Sequence, residues 1–120
     1  MSTSTVPLST IAHGRSGDKG NHANVAVIAY TPAGYAFLRE FLTPRRVWEY
    51  FSVLGPSQVL RYEVPNVLGL NFMLYDVLAG GASRSLRTDS QGKTFALALL
   101  RLVLERPEGY EAMLRPRSEA

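Results

Sequence analysis

Arg15, Asp18, Lys19, Asn21 and His22 fall within eight consecutive residues, jointed by Gly17 and Gly20 and preceded by Gly14. Two cations, a carboxylate, an amide and an imidazole thus share a segment whose glycines can turn sharply. Two kinds of chemistry are open to it. Asp18 and His22, four apart, could meet in a loop, the carboxylate orienting the imidazole for proton transfer. Alternatively, successive amides around Gly17 and Gly20 could form a concave donor array for an anion, with Lys19 and Arg15 supplying charge and Asn21 and Asn24 completing the set. A plainer reading has Asp18 and Asn21 bonded to turn backbone, Lys19 solvated and His22 capping a strand end.

Gly80-Gly81, followed by Arg84 and Arg87, offers a second place where backbone and guanidinium could approach a negative group. If the two loops share an edge, Arg84 joins the first set. A carboxylate, a phosphate or the phosphate end of a coenzyme A thioester would suit such a site. The plainer alternative is a helix stop followed by a solvated strand face.

Metal and nucleotide chemistry fare worse. His13, His22 and Asp18 supply too few ligands for a metal centre, and nothing marks a supporting shell, so no metal is assigned. The absence of cysteine removes disulfides, thiolate ligands and cysteine nucleophiles together. Gln91-Gly92-Lys93-Thr94 looks like the end of a phosphate loop, but Arg87 stands where that motif needs its first glycine. Gly14, Gly17 and Gly20 have the spacing G-x-x-G-x-x-G and lead into a strand, so a dinucleotide would find no helix N-terminus. No nucleotide cofactor is indicated.

The elements that must position these residues alternate along the chain. Leu8 to Arg15 and Asn24 to Tyr30 read as strands, with the polar glycine-rich segment as a loop between them. Thr31-Pro32 and Thr43-Pro44 each pair an N-cap with proline at the first helical position. Tyr35, Leu38 and Leu42, then Val47, Phe51 and Leu54, keep helical spacing, and Gly55-Pro56 ends the second helix. Gln58 to Val64 alternates as a half-buried strand. Leu70 to Leu78 reads as a short helix from its apolar density, with a strand as the alternative. Ser83 to Thr88 reads as a strand, Asp89 to Gly92 as a turn and Thr94 to Leu104 as a helix.

With 120 residues, 46% of them hydrophobic, the chain suits one domain with a real core. The expected division is a flexible N-terminus over 1–7, a domain over 8–104 and a polar tail over 105–120. Eleven of the thirteen basic residues are arginine, which favours fixed recognition of carboxylate or phosphate. They are scattered, not striped, and this argues against nucleic acid. The apolar run Phe95 to Leu100 is too short to span a bilayer, and the N-terminus has no leader-like pattern, so no membrane is expected and a cytoplasmic location follows.

Several motifs in order carry a family resemblance: Arg15-Ser-Gly-Asp-Lys-Gly-Asn-His-Ala-Asn24, Tyr62-Glu-Val-Pro-Asn66, Leu70-Asn-Phe72, Gly80-Gly81 with Ser83 to Arg87, and Asp89 to Lys93. Over residues 8–104 the chain resembles the small C-terminal domain of AtuA-type acyclic terpene utilisation proteins, a domain that also occurs free-standing beside a large AtuA-like partner. The resemblance implies an α+β, ferredoxin-like two-layer sandwich, with a sheet of about four strands and helices on one face. It also implies a setting in acyl-CoA, terpenoid or branched-chain acid catabolism, a large AtuA-like subunit as partner and room for a homo-oligomer. It brings no catalytic residues. The expected function is therefore a small subunit with an anion-binding loop. The alternatives are a pure interaction module and a self-contained enzyme acting on a small acyl thioester.

Overall fold

The computed structural model describes residues 5–19, 22–77 and 93–116, and for Asp18, Lys19, Lys93 and Thr94 only the backbone. Gly20, Asn21, Gly80-Gly81, Arg84, Arg87, the strand expected over 83–88 and the turn over 89–92 lie outside the described residues. The strands are β1 (Thr5–Pro7), β2 (Ala12–Lys19), β3 (His22–Ala29), β4 (Gln58–Val64), β5 (Gly69–Tyr75) and β6 (Val103–Glu105). The helices are α1 (Pro32–Phe41), α2 (Pro44–Tyr50) and α3 (Lys93–Leu100).

Four strands form an antiparallel sheet in the order β2-β3-β5-β4, and β1 pairs with β6 in a separate two-stranded ribbon. The expected two-layer α+β architecture is what forms. Among the described residues the order is two hairpins separated by two helices, then a helix and β6, rather than a βαββαβ alternation.

Period-two burial decides which sheet face the helices cover. Ala23, Val25, Val27 and Ala29 of β3 are buried, as are Leu70, Phe72 and Leu74 of β5. The register sets Val25 opposite Phe72 and Ala23 opposite Leu74, so these side chains form one inner face. Leu38 of α1, Val47 of α2 and Phe95 and Leu99 of α3 close over it in a single core. Truncating a side chain such as Phe72 to alanine there costs about 3–5 kcal/mol.

Local chemistry explains the helix starts. The Thr31 hydroxyl accepts from the Gly34 N–H at 3.0 Å, and Thr43 accepts from the Arg46 N–H at 3.1 Å, with proline opening each helix. Gly55 takes a left-handed conformation (φ 66°) after the turn that ends α2. At the far end of α1, the Arg61 guanidinium donates to the carbonyls of Arg39 at 2.8 Å and Leu42 at 2.9 Å. Arg61 thereby ties β4 to a helix C-terminus whose carbonyls have no intrahelical partner.

The structure corrects several sequence expectations. Of the stretch Leu70 to Leu78, read first as a helix with a strand as the alternative, the described residues form strand β5 and a turn; Leu70, Phe72 and Leu74 alternate with Asn71, Met73 and Tyr75, and apolar density had masked that alternation. The strand expected from Leu8 is instead a short 3-10 turn (Leu8–Thr10) before β2. The helix expected to Leu104 stops at Leu100, because Leu102 accepts the Leu8 N–H at 2.8 Å and the chain then pairs with β1. Beyond residue 105, Met113 is buried and Thr31 donates to the Ala112 carbonyl at 2.7 Å.

Candidate functional site

The glycine-rich segment read as a loop is mostly strand. β2 runs to Lys19 and β3 begins at His22, and Lys19 stands opposite His22, Gly17 opposite Asn24 and Arg15 opposite Ala26. The loop reading failed because glycine and polar residues are poor strand formers, whereas pairing to a strongly apolar neighbour overrides propensity. Gly14 shows what a glycine does here. A Cβ on it would sit 2.5 Å from the Ala26 carbonyl oxygen and 3.8 Å from the Ala96 side chain. The missing side chain lets α3 lie close over β2, where the Ala96 N–H reaches the Ser16 hydroxyl at 3.3 Å.

The Tyr30 N–H bonds to the Ile11 carbonyl at 3.2 Å. Counting on from that pair, antiparallel alternation directs the N–H and C=O of His13, Arg15 and Gly17 toward β3. The Gly17 amide therefore serves the sheet ladder.

No described element covers the outer face of the sheet. His22, Asn24, Ala26 and Ile28 of β3 alternate with the buried row, and Asn71, Met73 and Tyr75 of β5 do the same. Arg15 and His13 lie on the same face by register, opposite Ala26 and Ile28. Arg15 is exposed, with no hydrogen bond or ion pair among the described residues. His13 stacks on Tyr30, ring centroids 5.2 Å apart. The Asn24 amide nitrogen donates to Asn71 Oδ1 at 2.7 Å and lies 3.5 Å from the Met73 sulfur. Beside this amide pair a shallow cavity of about 250 Å³ is walled by Ile28, Val64 and Val67, with Gly69 leaving room in it. Its apolar walls and one polar corner can seat an aliphatic side chain next to an amide.

His22 has a partner that no local reading could supply. Its Nδ1 accepts the backbone N–H of Asp76 at 3.1 Å, and Asp76 Oδ1 lies 3.9 Å from the same nitrogen. Ser57 donates to Asp76 Oδ2 at 2.5 Å, and Tyr75 meets the imidazole edge-on with centroids 4.7 Å apart. Asp76 is held at φ 64°, a left-handed conformation that costs a non-glycine residue about 1–3 kcal/mol. With Nδ1 accepting, the proton of the neutral ring is on Nε2. The Ser57 hydroxyl points to the carboxylate and not to the imidazole, so this is not a nucleophilic triad.

The structure thus brings Arg15, His22 and Asn24 to one sheet face. Gly17 is in the strand, opposite Asn24. Asp18 stands opposite Ala23, and its side chain, like that of Lys19, lies outside the described residues, as do Gly20, Asn21 and Arg84 entirely. Sequence reasoning missed Ser57, Asn71, Tyr75 and Asp76. The alternation of Leu70 to Tyr75, read as a strand, would have placed Asn71 and Tyr75 on a common face and Asp76 at its end. Among the described residues no three His, Asp or Glu side chains gather as metal ligands, and no helix is long and apolar enough to cross a membrane.

Comparison with known proteins agrees with this architecture. No curated protein and no solved structure matches the chain. The AtuA ferredoxin-like domain matches residues 6–105, from β1 through β6 and across every element of the sheet. With that match spanning most of its length and a four-stranded antiparallel sheet under helices on one face, the chain belongs to the AtuA ferredoxin-like domain family.

Proposed function

We propose that this domain is the small docking component of an AtuA-like assembly, acting in the cytoplasm in acyl-CoA, terpenoid or branched-chain acid catabolism. The open face of its sheet seats the large AtuA-like partner. One observation carries the reading: Arg15, His22 and Asn24 share that face with a contiguous apolar strip. Val64 is 39% exposed, Val67 53% and Tyr62 48%, and the two valines wall the same shallow cavity as Ile28. Scattered exposed apolar residues need no explanation, but a contiguous group rimmed by polar residues favours an interface.

Arg15 supports a second element. It is exposed on that face without a carboxylate partner among the described residues, and a guanidinium in that state suits a carboxylate, a phosphate or the phosphate end of a coenzyme A thioester at the rim of the interface. Lys19 and Arg84 would add to that charge.

The test is assembly of the purified domain with a large AtuA-like protein, followed by light scattering after size exclusion. Val64→Lys and Ile28→Glu place charge on the open face without touching the core. Both variants should keep the native circular dichroism spectrum and lose the complex. Arg15→Ala should keep the complex and lose thermal stabilisation by coenzyme A. Undiminished assembly of both face variants would refute the docking reading.

A further inference from the structure

On the opposite side of the molecule a groove of about 760 Å³ runs between β6 and helices α1 and α2. Every residue from Leu102 to Glu108 lines it, the inward-pointing Leu102 and Leu104 as well as the exposed Val103 and Glu105. The ribbon has two strands, so β6 has one edge that no described strand pairs. β1 occupies the other edge. Register and hydrogen bonding fix what this free edge offers. Leu8 N–H donates to the Leu102 carbonyl at 2.8 Å, and Val6 stands opposite Leu104, Pro7 opposite Val103 and Thr5 opposite Glu105. Antiparallel alternation then bonds Leu102 and Leu104 to β1 and turns the N–H and C=O of Val103 and Glu105 outward. No described residue hydrogen-bonds to them. Pro7, which has no N–H, falls in a pair that needs none.

The groove's charges say what could fill it. Arg46 lies over the Phe41 ring at 4.2 Å and donates through Nε to the Phe41 carbonyl at 2.7 Å. It has no ion-pair partner among the described residues, since the neighbouring Glu49 is taken by Arg45 at 3.1 Å. Its remaining N–H groups are therefore pre-oriented for a carboxylate. Glu105 and Glu108, also unpaired among the described residues, line the same groove and oppose a compact anion, yet they fit a basic residue further along an extended chain. The stacked Phe37–Phe41 pair supplies an apolar wall.

We propose that the outer edge of β6 is a strand-addition site. Its occupant is an extended segment of a partner polypeptide, with an apolar side chain against Phe37 and Phe41 and an acidic one beside Arg46. Main-chain bonds to Val103 and Glu105 would give affinity, and the groove would select the side chains. This proposal is independent of the open-face reading, and either can fail without the other.

The test begins with random linear peptides displayed on phage and selected against the full chain. Selected peptides should carry an acidic residue, and binding should slow amide hydrogen exchange at Val103 and Glu105, while Leu104 is protected with or without peptide. Val103→Pro removes one outward N–H and leaves the β1 bonds intact, so it should weaken binding about tenfold, whereas Val103→Thr should hold it. Should Val103→Pro fail to fold, a peptide N-methylated at its central residue tests the same bond from the other side and should bind equally weakly. The proposal is overturned by selected peptides that leave both amides unprotected, or by a failure to select any. It is also overturned if the two amides become protected only as protein concentration rises, which would make the occupant a second copy of this chain.

Discussion

The backbone N–H of Asp76 reaches Nδ1 of His22 across 3.1 Å, joining the end of β5 to the start of β3 over 54 positions of sequence. A second left-handed residue does the same at the other end of β5. Leu68, at φ 60°, offers its carbonyl to the Ala29 N–H at 2.9 Å. The central strand pair is thus pinned at both ends by non-glycine residues in a conformation they resist.

The Asp76 carboxylate, 3.9 Å away and anchored by Ser57, flanks the same imidazole nitrogen. His22→Ala removes the acceptor of the Asp76 N–H together with the edge-on contact to Tyr75. In hydrogen-exchange NMR the Asp76 amide should then exchange about tenfold faster. An unchanged exchange rate at Asp76 would contradict this geometry.

Two glycines three apart should answer substitution with opposite signs. Gly14→Ala drives a Cβ into the Ala26 carbonyl oxygen, which is backbone and cannot swing aside. It should destabilise by about 1–3 kcal/mol, as overpacking does. At Gly17 a Cβ meets nothing within 4 Å among the described residues. Gly17→Ala should be neutral or stabilise by up to about 1 kcal/mol through the unfolded chain. Urea midpoints at unchanged m-value measure both.

Tyr35 carries a buried hydroxyl with no hydrogen-bond partner among the described residues. Removing it relieves a desolvated polar group, so Tyr35→Phe should raise stability by about 1 kcal/mol. A fall in melting temperature would mean that the hydroxyl is satisfied in solution, for instance by a buried water.

Arg61 holds two α1 carbonyls with one guanidinium nitrogen and Glu63 with another, at 2.8, 2.9 and 3.2 Å. Arg61→Met keeps the apolar stem and leaves those carbonyls unpaired. It should cost about 2 kcal/mol, with the loss seen first as faster amide exchange in the last turn of α1. Arg61→Lys should recover only part of this, because an ammonium lacks the planar fork.

Elements governed by short-range chemistry were legible in the sequence. Thr31-Pro32 and Thr43-Pro44 named their helix starts because a hydroxyl and a missing N–H act within one turn. Gln58 to Val64 was readable as a strand from its alternation, although the apolar row with Tyr62 and Val64 is the exposed one and Arg61 turns inward to the carbonyls at the end of α1. β5 was not. Paired on both sides, it carries apolar residues on its outer face too, and Met73 and Tyr75 blur the period that exposed Val64 and Tyr62 left visible. The polar segment after Arg15 was read as a loop because propensity counts neighbours along the chain, whereas Val25, Asn24 and Ala23 pair with it from across the sheet.

By itself the sequence determined that this is one α+β unit with capped helices, a cysteine-free surface and a cluster of polar residues near its amino end. Those features depend on residue type and on spacings of a few positions. Only the tertiary structure decided that Arg15, His22 and Asn24 share one sheet face, that His22 meets Asp76 from the end of β5, and that no described strand pairs the second edge of β6. Each of these is set by strand register, and register is fixed by core packing between segments dozens of residues apart, which no local pattern encodes.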